Sequence, residues 1–434
     1  MVTSLRSRWA LATVFVLVCT ATGFSQEVLK LRGRTMGTTF SISIYAPKDQ
    51  VDPDLALLID RELRDVNDQM STYLKSSEIS QFNQSTSTDW IDISPEFAEV
   101  VSFALAVSEK TDGAFDVTVG PLVNAWSFGA ADRTHEIPDG DLLRELKERI
   151  GHQHLSVRLA PPGIRKAIPE LQIDLSSIAK GHGVDRVVGL LSENGLDNVF
   201  VEIGGEVRTR GSKGEDPWRV GIQQPEGSNQ KVLIAHSMEG DQSMATSGDY
   251  NNYFEVDGKR YSHTIDPRTG HPVVHALTSV TVVCDSCMKA DAWATALNVL
   301  GPSKALKFAE TESLSTFLVS RGSDDGVVLA GTGSLAQYAK QPQAKQLQAT
   351  PVASVPQKSK ISVVPTIVLA MIGLGILILL MAVGVLFGRK PISGSCGGIA
   401  ARMGEDGGSA CSLCSNPADA CKELREKVQQ NAQQ

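Results

Sequence analysis

The sequence predicts an α+β fold, because the apolar patterns of strands and helices occur without the regular alternation that builds a parallel sheet. Thr38–Tyr45 is typical of a half-buried strand, since Phe40, Ile42 and Ile44 share one face. A stripe at helical spacing follows, and its members are Leu55, Ile59, Leu63, Val66 and Met70. These patterns predict a strand followed by a long amphipathic helix.

Capping residues predict where the first two helices begin. Asp52 with Pro53 opens the first helix, and Ser94 with Pro95 opens a second one that ends at Gly113. The inward-facing residues of the second helix are Phe97, Val101, Ala104 and Leu105.

The middle of the chain contains further strand patterns. Leu171–Leu175 is predicted to be a short strand that runs through a small-residue turn into a helix, Val184–Leu191, which Gly195 ends. Val199–Ile203 and Trp218–Ile222 are predicted strands joined by a polar, glycine-rich loop. Backbone amides at the turn before the helix, with the charge of Lys180, suit a phosphate group, although the glycine spacing of the known phosphate-binding loops is missing.

Length and charge limit the classes of function. The 434 residues are enough for two or three domains. The formal net charge of -8 argues against nucleic acid as a partner, because phosphate backbones attract basic surfaces.

The N-terminus has the pattern of a secretory signal, which we predict over residues 1–23. Arg6 and Arg8 precede the apolar run Trp9–Val18, and small residues follow. Cleavage without a lipid is favoured, because a bulky valine stands before Cys19 where a lipoprotein signal needs a small residue. An uncleaved anchor is the alternative.

The C-terminal part predicts a membrane anchor. A flexible linker is expected over 337–360, where Gln, Ala, Pro, Lys and Ser dominate. Residues 365–387 contain no charge and are long enough to cross a bilayer core of ~30 Å as a helix. Arg389 and Lys390 follow at once, so the positive-inside rule places the tail, 388–434, in the cytoplasm and the preceding domain, 27–336, outside.

The stretch from Tyr261 to Thr295 carries the densest chemistry. HTIDPRTG places an imidazole, a carboxylate and a guanidinium in a turn that presents side chains. Thr278–Val283 is a predicted strand, and KADAWATALNVLG follows as a helix in which Asp291 and Thr295 share one face. Their oxygens suit Mg²⁺. The alternative is that Asp291 only balances the dipole in the first turn while Thr295 faces solvent.

Two cysteines, Cys284 and Cys287, form a CxxC at the end of the predicted strand. Zinc is disfavoured because neither a histidine nor a second CxxC stands nearby. The pair is interpreted as incidental, or as a disulfide in an oxidising compartment.

Six blocks in order make the chain similar to the FAD:protein FMN transferase family, the ApbE family. One of these blocks is HTIDPRTG followed by ADAWATA. The other blocks are RTMGTTF, MSTYLKSSEISQFN, TDGAFDVTVGPLVNAWSFG, IDLSSIAKGHGVD and VEIGGEV. ATSGDY resembles a further family block near the active site, although a turn between strands explains it almost as well.

The resemblance implies a two-layer, T-fold-like domain and assigns site residues. The positions that would bind FAD are Met36, Tyr73, Ala114, Phe115, Asp116, Asp174, Lys180 and Ile265. Ser177 would join Asp291 and Thr295 around Mg²⁺, whereas Ala294 replaces an aspartate that completes the metal site in other members and predicts weaker binding. His263 is the candidate general base, with a purely structural histidine as the alternative.

The tail resembles a second family, NqrM, the maturation factor of the sodium-pumping NADH:quinone reductase, over Pro365–Lys427. The residues that carry this resemblance are the membrane helix, SGSCGG and the cysteines Cys396, Cys411, Cys414 and Cys421. Reduced thiols in the cytosol favour soft metal binding. The family implies that the tail helps to deliver iron to the pump.

Together the resemblances imply one client. The domain would transfer FMN from FAD to a threonine or serine of flavin-acceptor subunits of the sodium-pumping reductase and release AMP. It would act on the periplasmic side of a bacterial inner membrane, with the tail in the cytoplasm. Two alternatives remain open: an FAD pyrophosphatase that uses water as the nucleophile, and a noncatalytic flavin-binding assembly factor.

Overall fold

The computed structural model describes residues 26–129, 136–225, 231–249, 252–322 and 326–340. The signal segment, the linker beyond residue 340, the predicted membrane span and the cysteine-rich tail lie outside these residues, and their predictions stay predictions. No helix within the described residues is long and apolar enough to cross a membrane.

The described helices and strands are numbered along the chain. The strands are β1 (Gln26–Thr35), β2 (Thr38–Pro47), β3 (Ile91–Asp92), β4 (Leu155–Leu159), β5 (Pro162–Lys166), β6 (Val199–Ile203), β7 (Glu206–Arg210), β8 (Trp218–Gln223), β9 (Val232–Met238), β10 (Gln242–Gly248), β11 (Tyr253–Val256), β12 (Lys259–Ser262), β13 (Ile265–Asp266), β14 (His271–Pro272), β15 (Leu277–Cys284), β16 (Ser315–Arg321) and β17 (Val327–Gly331). The helices are α1 (Leu55–Met70), α2 (Glu78–Gln84), α3 (Pro95–Lys110), α4 (Gly120–Ala125), α5 (Gly140–Glu148), α6 (Ala179–Glu193), α7 (Cys287–Leu300), α8 (Pro302–Thr311) and α9 (Ala336–Ala339).

One large sheet organises the domain, and its strand order is β1-β2-β6-β7-β10-β15-β16-β17. Every neighbouring pair is antiparallel. Successive side chains of a strand point to opposite faces, so Val282 joins the core under the helices while Val283 joins the core under the β8–β9 hairpin. An antiparallel sheet with its main helices on one face is α+β, as predicted.

The predicted first strand and first two helices are confirmed, with shifted boundaries. In β2, Ile42 and Ile44 are buried, and the five apolar residues of the α1 stripe are all buried. Ser94 caps α3 by accepting a hydrogen bond from the Phe97 amide. Asp52 does not cap α1, however, because the helix begins at Leu55, and Oδ1 of Asp52 accepts instead from the amide of Asp54, at 2.7 Å.

Three sequence predictions in the middle of the chain were wrong. Leu171–Leu175 forms no strand; it is an extended segment whose alternate side chains are buried, and this burial imitates the period of a strand. The following helix, α6, begins at Ala179 rather than at Val184. The region between β6 and β8 is not simply a loop, because it contains β7. The predicted strand Val199–Ile203, by contrast, is confirmed as β6. Both β6 and β1 pair with β2.

Candidate active site

Helix α7 carries the predicted metal residues and is fixed at its N-terminus. The Ser286 side chain accepts a hydrogen bond from the Lys289 amide. Asp185, from α6, accepts hydrogen bonds from the amides of Cys287 and Met288, both at 2.9 Å. A carboxylate at this end is also favoured by the helix dipole. Asp185 lies in the middle of α6, so the first turn of α7 is held against the body of α6.

Asp291 lies inside the domain rather than at the helix start. Its residue exposure is only 4%, and the first turn of α7 contains no acidic residue. The alternative that Asp291 balances the dipole in the first turn is therefore wrong. Thr295 is half-buried one helical turn later, on the same face.

Asp291 belongs to a cluster of charges drawn from three elements. Its Oδ2 accepts a hydrogen bond from the Gly181 amide at 3.0 Å and lies 3.6 Å from the Lys180 Nζ. Lys180 Nζ also donates to Oε1 of Glu206, the first residue of β7, at 2.8 Å. The cluster therefore joins α6, α7 and β7 at one point.

The charges in this cluster shift the pKa values of Lys180 and Glu206. Burial lowers the pKa of Lys180, but the carboxylates of Asp291 and Glu206 outweigh burial and the pKa is raised overall. The pKa of Glu206 is raised overall, because burial, with the nearby Asp291 carboxylate, outweighs the opposing Lys180 ammonium. Lys180 is therefore a permanent cation at neutral pH.

The predicted metal residues offer oxygen atoms only. Ser177 lies in the turn before α6, four residues ahead of Gly181. It is therefore at the N-terminal end of α6, the end that Asp291 contacts through the Gly181 amide. One carboxylate and two hydroxyls are the kind of donors that Mg²⁺ prefers, and they leave coordination positions for water or phosphate. Ala294 is buried in the core and adds no oxygen. Within the described ranges no three His, Cys, Asp or Glu side chains converge as a metal site.

His263 follows β12 directly and has a defined tautomer. Its Nδ1 lies 3.0 Å from the carbonyl oxygen of Asn252, and its backbone amide donates to the same oxygen. Because a carbonyl can only accept, Nδ1 carries the proton and Nε2 keeps a lone pair. Burial lowers the pKa of His263, and the charge of Lys180 lowers it further against the effect of the Asn252 bond. The ring is therefore neutral at pH 7.

The predicted flavin residues fall into two environments. Met36 stands at the tight turn between β1 and β2 with φ of 48° and lines a cavity of about 520 Å³. Tyr73 is 68% exposed. Asp174 lines a second cavity, also of about 520 Å³, which is walled mostly by Ser, Thr, Asn and Gln side chains. The backbone of Asp174 donates to the carbonyl oxygen of Val117 at 2.7 Å.

The other predicted flavin residues are more enclosed. Ala114 and Phe115 are 1% exposed and Ile265 is 5% exposed. Asp116 accepts hydrogen bonds from the Thr118 amide and hydroxyl and from the His152 amide. Their contact with flavin stays a prediction.

Comparisons with known proteins decide the family. The model of the ApbE family matches residues 36–318. The chain belongs to the ApbE family. The FAD:protein FMN transferase of Vibrio cholerae is 43% identical over 320 residues, which cover 73% of this chain and 95% of that protein. The corresponding Escherichia coli protein is 39% identical over 302 residues, covering 69% of this chain and 86% of that protein.

Solved structures agree with the ApbE fold. A flavin transferase ApbE from Vibrio cholerae superposes with a TM-score of 0.66 at 42% identity and covers 72% of this chain and 99% of that one. An ApbE protein from Thermotoga maritima gives a TM-score of 0.64 at 27% identity, covering 73% of this chain and all of its own, 100%. A second family model, (Na+)-NQR maturation NqrM, matches residues 385–434. Both family resemblances in the sequence are therefore confirmed.

Sequence reasoning about the ApbE domain missed Glu206 and Asp185. Both stand in blocks that carry the family resemblance, VEIGGEV and IAKGHGVD, but nothing local indicates that Glu206 binds Lys180 or that Asp185 caps α7. An acidic residue directly after a double glycine was the only available signal for Glu206.

The CxxC in the ApbE domain is not a disulfide. Cys284 and Cys287 are both free, and Cys287 is fully buried at the start of α7. Burial raises the pKa of the Cys287 thiol well above its usual value, which makes this thiol a weak nucleophile. The disulfide alternative is therefore wrong: Cys287 acts as a small buried residue, and Cys284 is half-buried.

Proposed function

We propose that the ApbE domain transfers the FMN half of FAD to a threonine or serine hydroxyl of a client protein and releases AMP. The observation that carries this proposal is the junction of α6, α7 and β7, where a carboxylate and an ammonium meet. Similarity to FAD:protein FMN transferases over nearly their whole length supports the same activity. The domain is accordingly an enzyme, a transferase with FAD as its substrate.

His263 is proposed as the general base. Its Nε2 would take the proton of the acceptor hydroxyl while the hydroxyl oxygen bonds to the phosphorus on the FMN side. The bond from that phosphorus to the bridging oxygen of AMP breaks, and AMP leaves with the bonding electrons. The neutral ring and the protonated Nδ1 suit this role, because the free lone pair stays on Nε2.

Lys180 is proposed to bind the pyrophosphate of FAD. Its ammonium sits at the start of α6, and phosphate groups favour the N-terminal end of a helix. Ser177, Asp291 and Thr295 would hold Mg²⁺, which supplies Lewis-acid stabilisation of the charge on the phosphates when bound. Met36, Tyr73, Asp174 and Ile265, with Ala114, Phe115 and Asp116, are proposed to hold the rest of FAD.

The proposed client is the sodium-pumping NADH:quinone reductase. Support comes from the NqrM match at residues 385–434, which joins a pump-maturation domain to a flavin-transferring domain in one chain. We propose that the chain is anchored by residues 365–387 in a bacterial inner membrane, with the ApbE domain in the periplasm. Cys396, Cys411, Cys414 and Cys421 would then bind iron for the pump on the cytoplasmic side.

One reaction tests the activity and the client together. The full chain is incubated with FAD, Mg²⁺ and purified flavin-acceptor subunits of the sodium pump, and flavin fluorescence is recorded on a denaturing gel while AMP is measured. A fluorescent acceptor band with matching AMP supports the proposal. AMP with free FMN and no band indicates a hydrolase or a wrong acceptor, and neither product indicates a binding module.

A further inference from the structure

Glu206 is buried beside the proposed metal residues without belonging to them. It is 4% exposed, and its Oε1 accepts the hydrogen bond from Lys180 Nζ. Its Oε2 is also buried and has no hydrogen-bond partner among the described residues. A buried carboxylate is costly unless a charge compensates it, so Lys180 is its principal compensation.

Lys180 stands between two carboxylates and is closer to one of them. Its Nζ lies 2.8 Å from Glu206 and 3.6 Å from Asp291. Both carboxylates attract the ammonium, but only Glu206 accepts a hydrogen bond from it, so Glu206 fixes its position. Without the Glu206 charge, Asp291 would be the nearest anion for this flexible side chain.

The chain that leads to Glu206 is shaped to bring it to Lys180. Gly204 and Gly205 form the turn between β6 and β7 with φ of 63° and 107°, a conformation that other residues rarely adopt. A Cβ on Gly204 would lie 2.9 Å from Cγ2 of Thr38 and 3.3 Å from Cδ of Lys180. The lysine stem therefore packs directly against this turn, and Glu206 follows it at once.

We propose that Glu206 is a positioning residue that holds Lys180 back from Asp291 and so keeps Asp291 open to a divalent cation. The inference rests on the proposed metal role of Asp291. With Glu206 ionised, the carboxylates of the cluster outnumber the ammonium and attract a cation. With the charge removed, Lys180 pairs with Asp291 and competes with the metal.

The test measures Mg²⁺ binding calorimetrically on the full chain without FAD or acceptor. Glu206→Gln keeps the shape of the side chain and should weaken Mg²⁺ binding roughly tenfold or more. Glu206→Asp restores the charge and should recover much of the affinity. Thermal unfolding of each variant is recorded, so that a loss of folding is recognised separately.

A second background separates positioning from a merely structural effect. In Lys180→Met the competing ammonium is absent, so adding Glu206→Gln should change Mg²⁺ affinity much less than it does in the wild type. Equal Mg²⁺ affinity of the wild type and Glu206→Gln, or the same loss in both backgrounds, would overturn the inference. FMN transfer by the wild type is assayed in parallel; its absence would refute the proposed function instead.

Discussion

The backbone amide of Gly181 donates a hydrogen bond to Oδ2 of Asp291 at 3.0 Å, and this bond joins the first turn of α6 to α7. The two helices touch here because Gly181 has no side chain. A Cβ at this position would meet the backbone of Cys287 and lie 2.8 Å from the Cα of Met288. The position of Asp291 therefore depends on a glycine in another helix.

Replacing Gly181 with Ala should separate α6 from α7. We expect a loss of about 1–3 kcal/mol in the free energy of unfolding from overpacking, with reduced FMN transfer. The control is Gly189→Ala in the same helix, where a Cβ meets nothing within 4 Å. That change should stabilise the domain by ~0.5–1 kcal/mol, because alanine favours the helix. Chemical denaturation of both variants checks the prediction, and equal stabilities would contradict it.

Replacing Asp291 with Ala should abolish FMN transfer and Mg²⁺ binding together, since it removes the only carboxylate of the proposed metal set. Asp285→Ala is the matched control: its side chain is 76% exposed and pairs with Lys289. The control should keep both properties. Labelling of the acceptor by Asp291→Ala at the wild-type rate would refute the metal assignment.

The proposed role of His263 predicts an acid limb in the pH dependence. Since burial lowers its pKa below the ordinary 6.5, the base stays neutral at pH 7 and transfer should decline only below pH 6.5, as the ring gains a proton. His263→Ala should lower kcat by ~10²–10⁴-fold and remove this limb. His271→Gln, an exposed residue of the same turn, should keep it. Rates at saturating FAD across pH 5–9 measure the effect; an unchanged limb in His263→Ala would exclude the assignment.

Asn83 fixes the segment that carries Asp174. Its side chain both donates to and accepts from the backbone of Ile173, each at 2.8 Å. Asn83→Ala leaves these backbone groups unpaired and should cost about 1–3 kcal/mol of folding free energy and raise the KM for FAD. The control is Gln81→Ala, at an exposed position of the same helix that does not line the cavity of Asp174. An unchanged KM in Asn83→Ala would show that Asp174 does not depend on this support.

The tail cysteines should bind iron. Cys396→Ser or Cys411→Ser is expected to abolish iron binding and maturation of the sodium pump, because each would remove a proposed thiolate ligand. Cys284→Ser, in the ApbE domain, is the control with the same chemical change. Iron is measured per purified chain. Equal iron content in the tail variants and the control would disprove the tail assignment.

Local sequence patterns were sufficient to predict those elements whose own apolar periodicity determines which side chains are buried. The strand β6 and the buried stripe of α1 follow directly from residue periodicity. The same reasoning failed at Leu171–Leu175, because an extended segment tied to Asn83 buries alternate residues just as a strand does. The period of apolar residues shows which side chains are buried, but it does not show whether the backbone forms hydrogen bonds with a neighbouring strand.

Such patterns could not predict the charge cluster. Lys180, Glu206 and Asp291 stand on three different elements, and only the sheet topology brings them together. Lys180 and Asp291 were predicted from family resemblance, whereas Glu206 had no assigned role and was missed. The distance between two side chains far apart in sequence is a property of the fold.

Helix α7 is buried on almost every side, including its alanines and Asn298. Nearly any substitution there disturbs the core. The hairpin β11–β12 is different, because Tyr253 and Lys259 are exposed and the hairpin ends directly before His263. An engineer who wishes to attach flavin to a new target protein should therefore vary Tyr253, which pairs with Ser262 at the end of the hairpin next to His263, and leave α7 untouched.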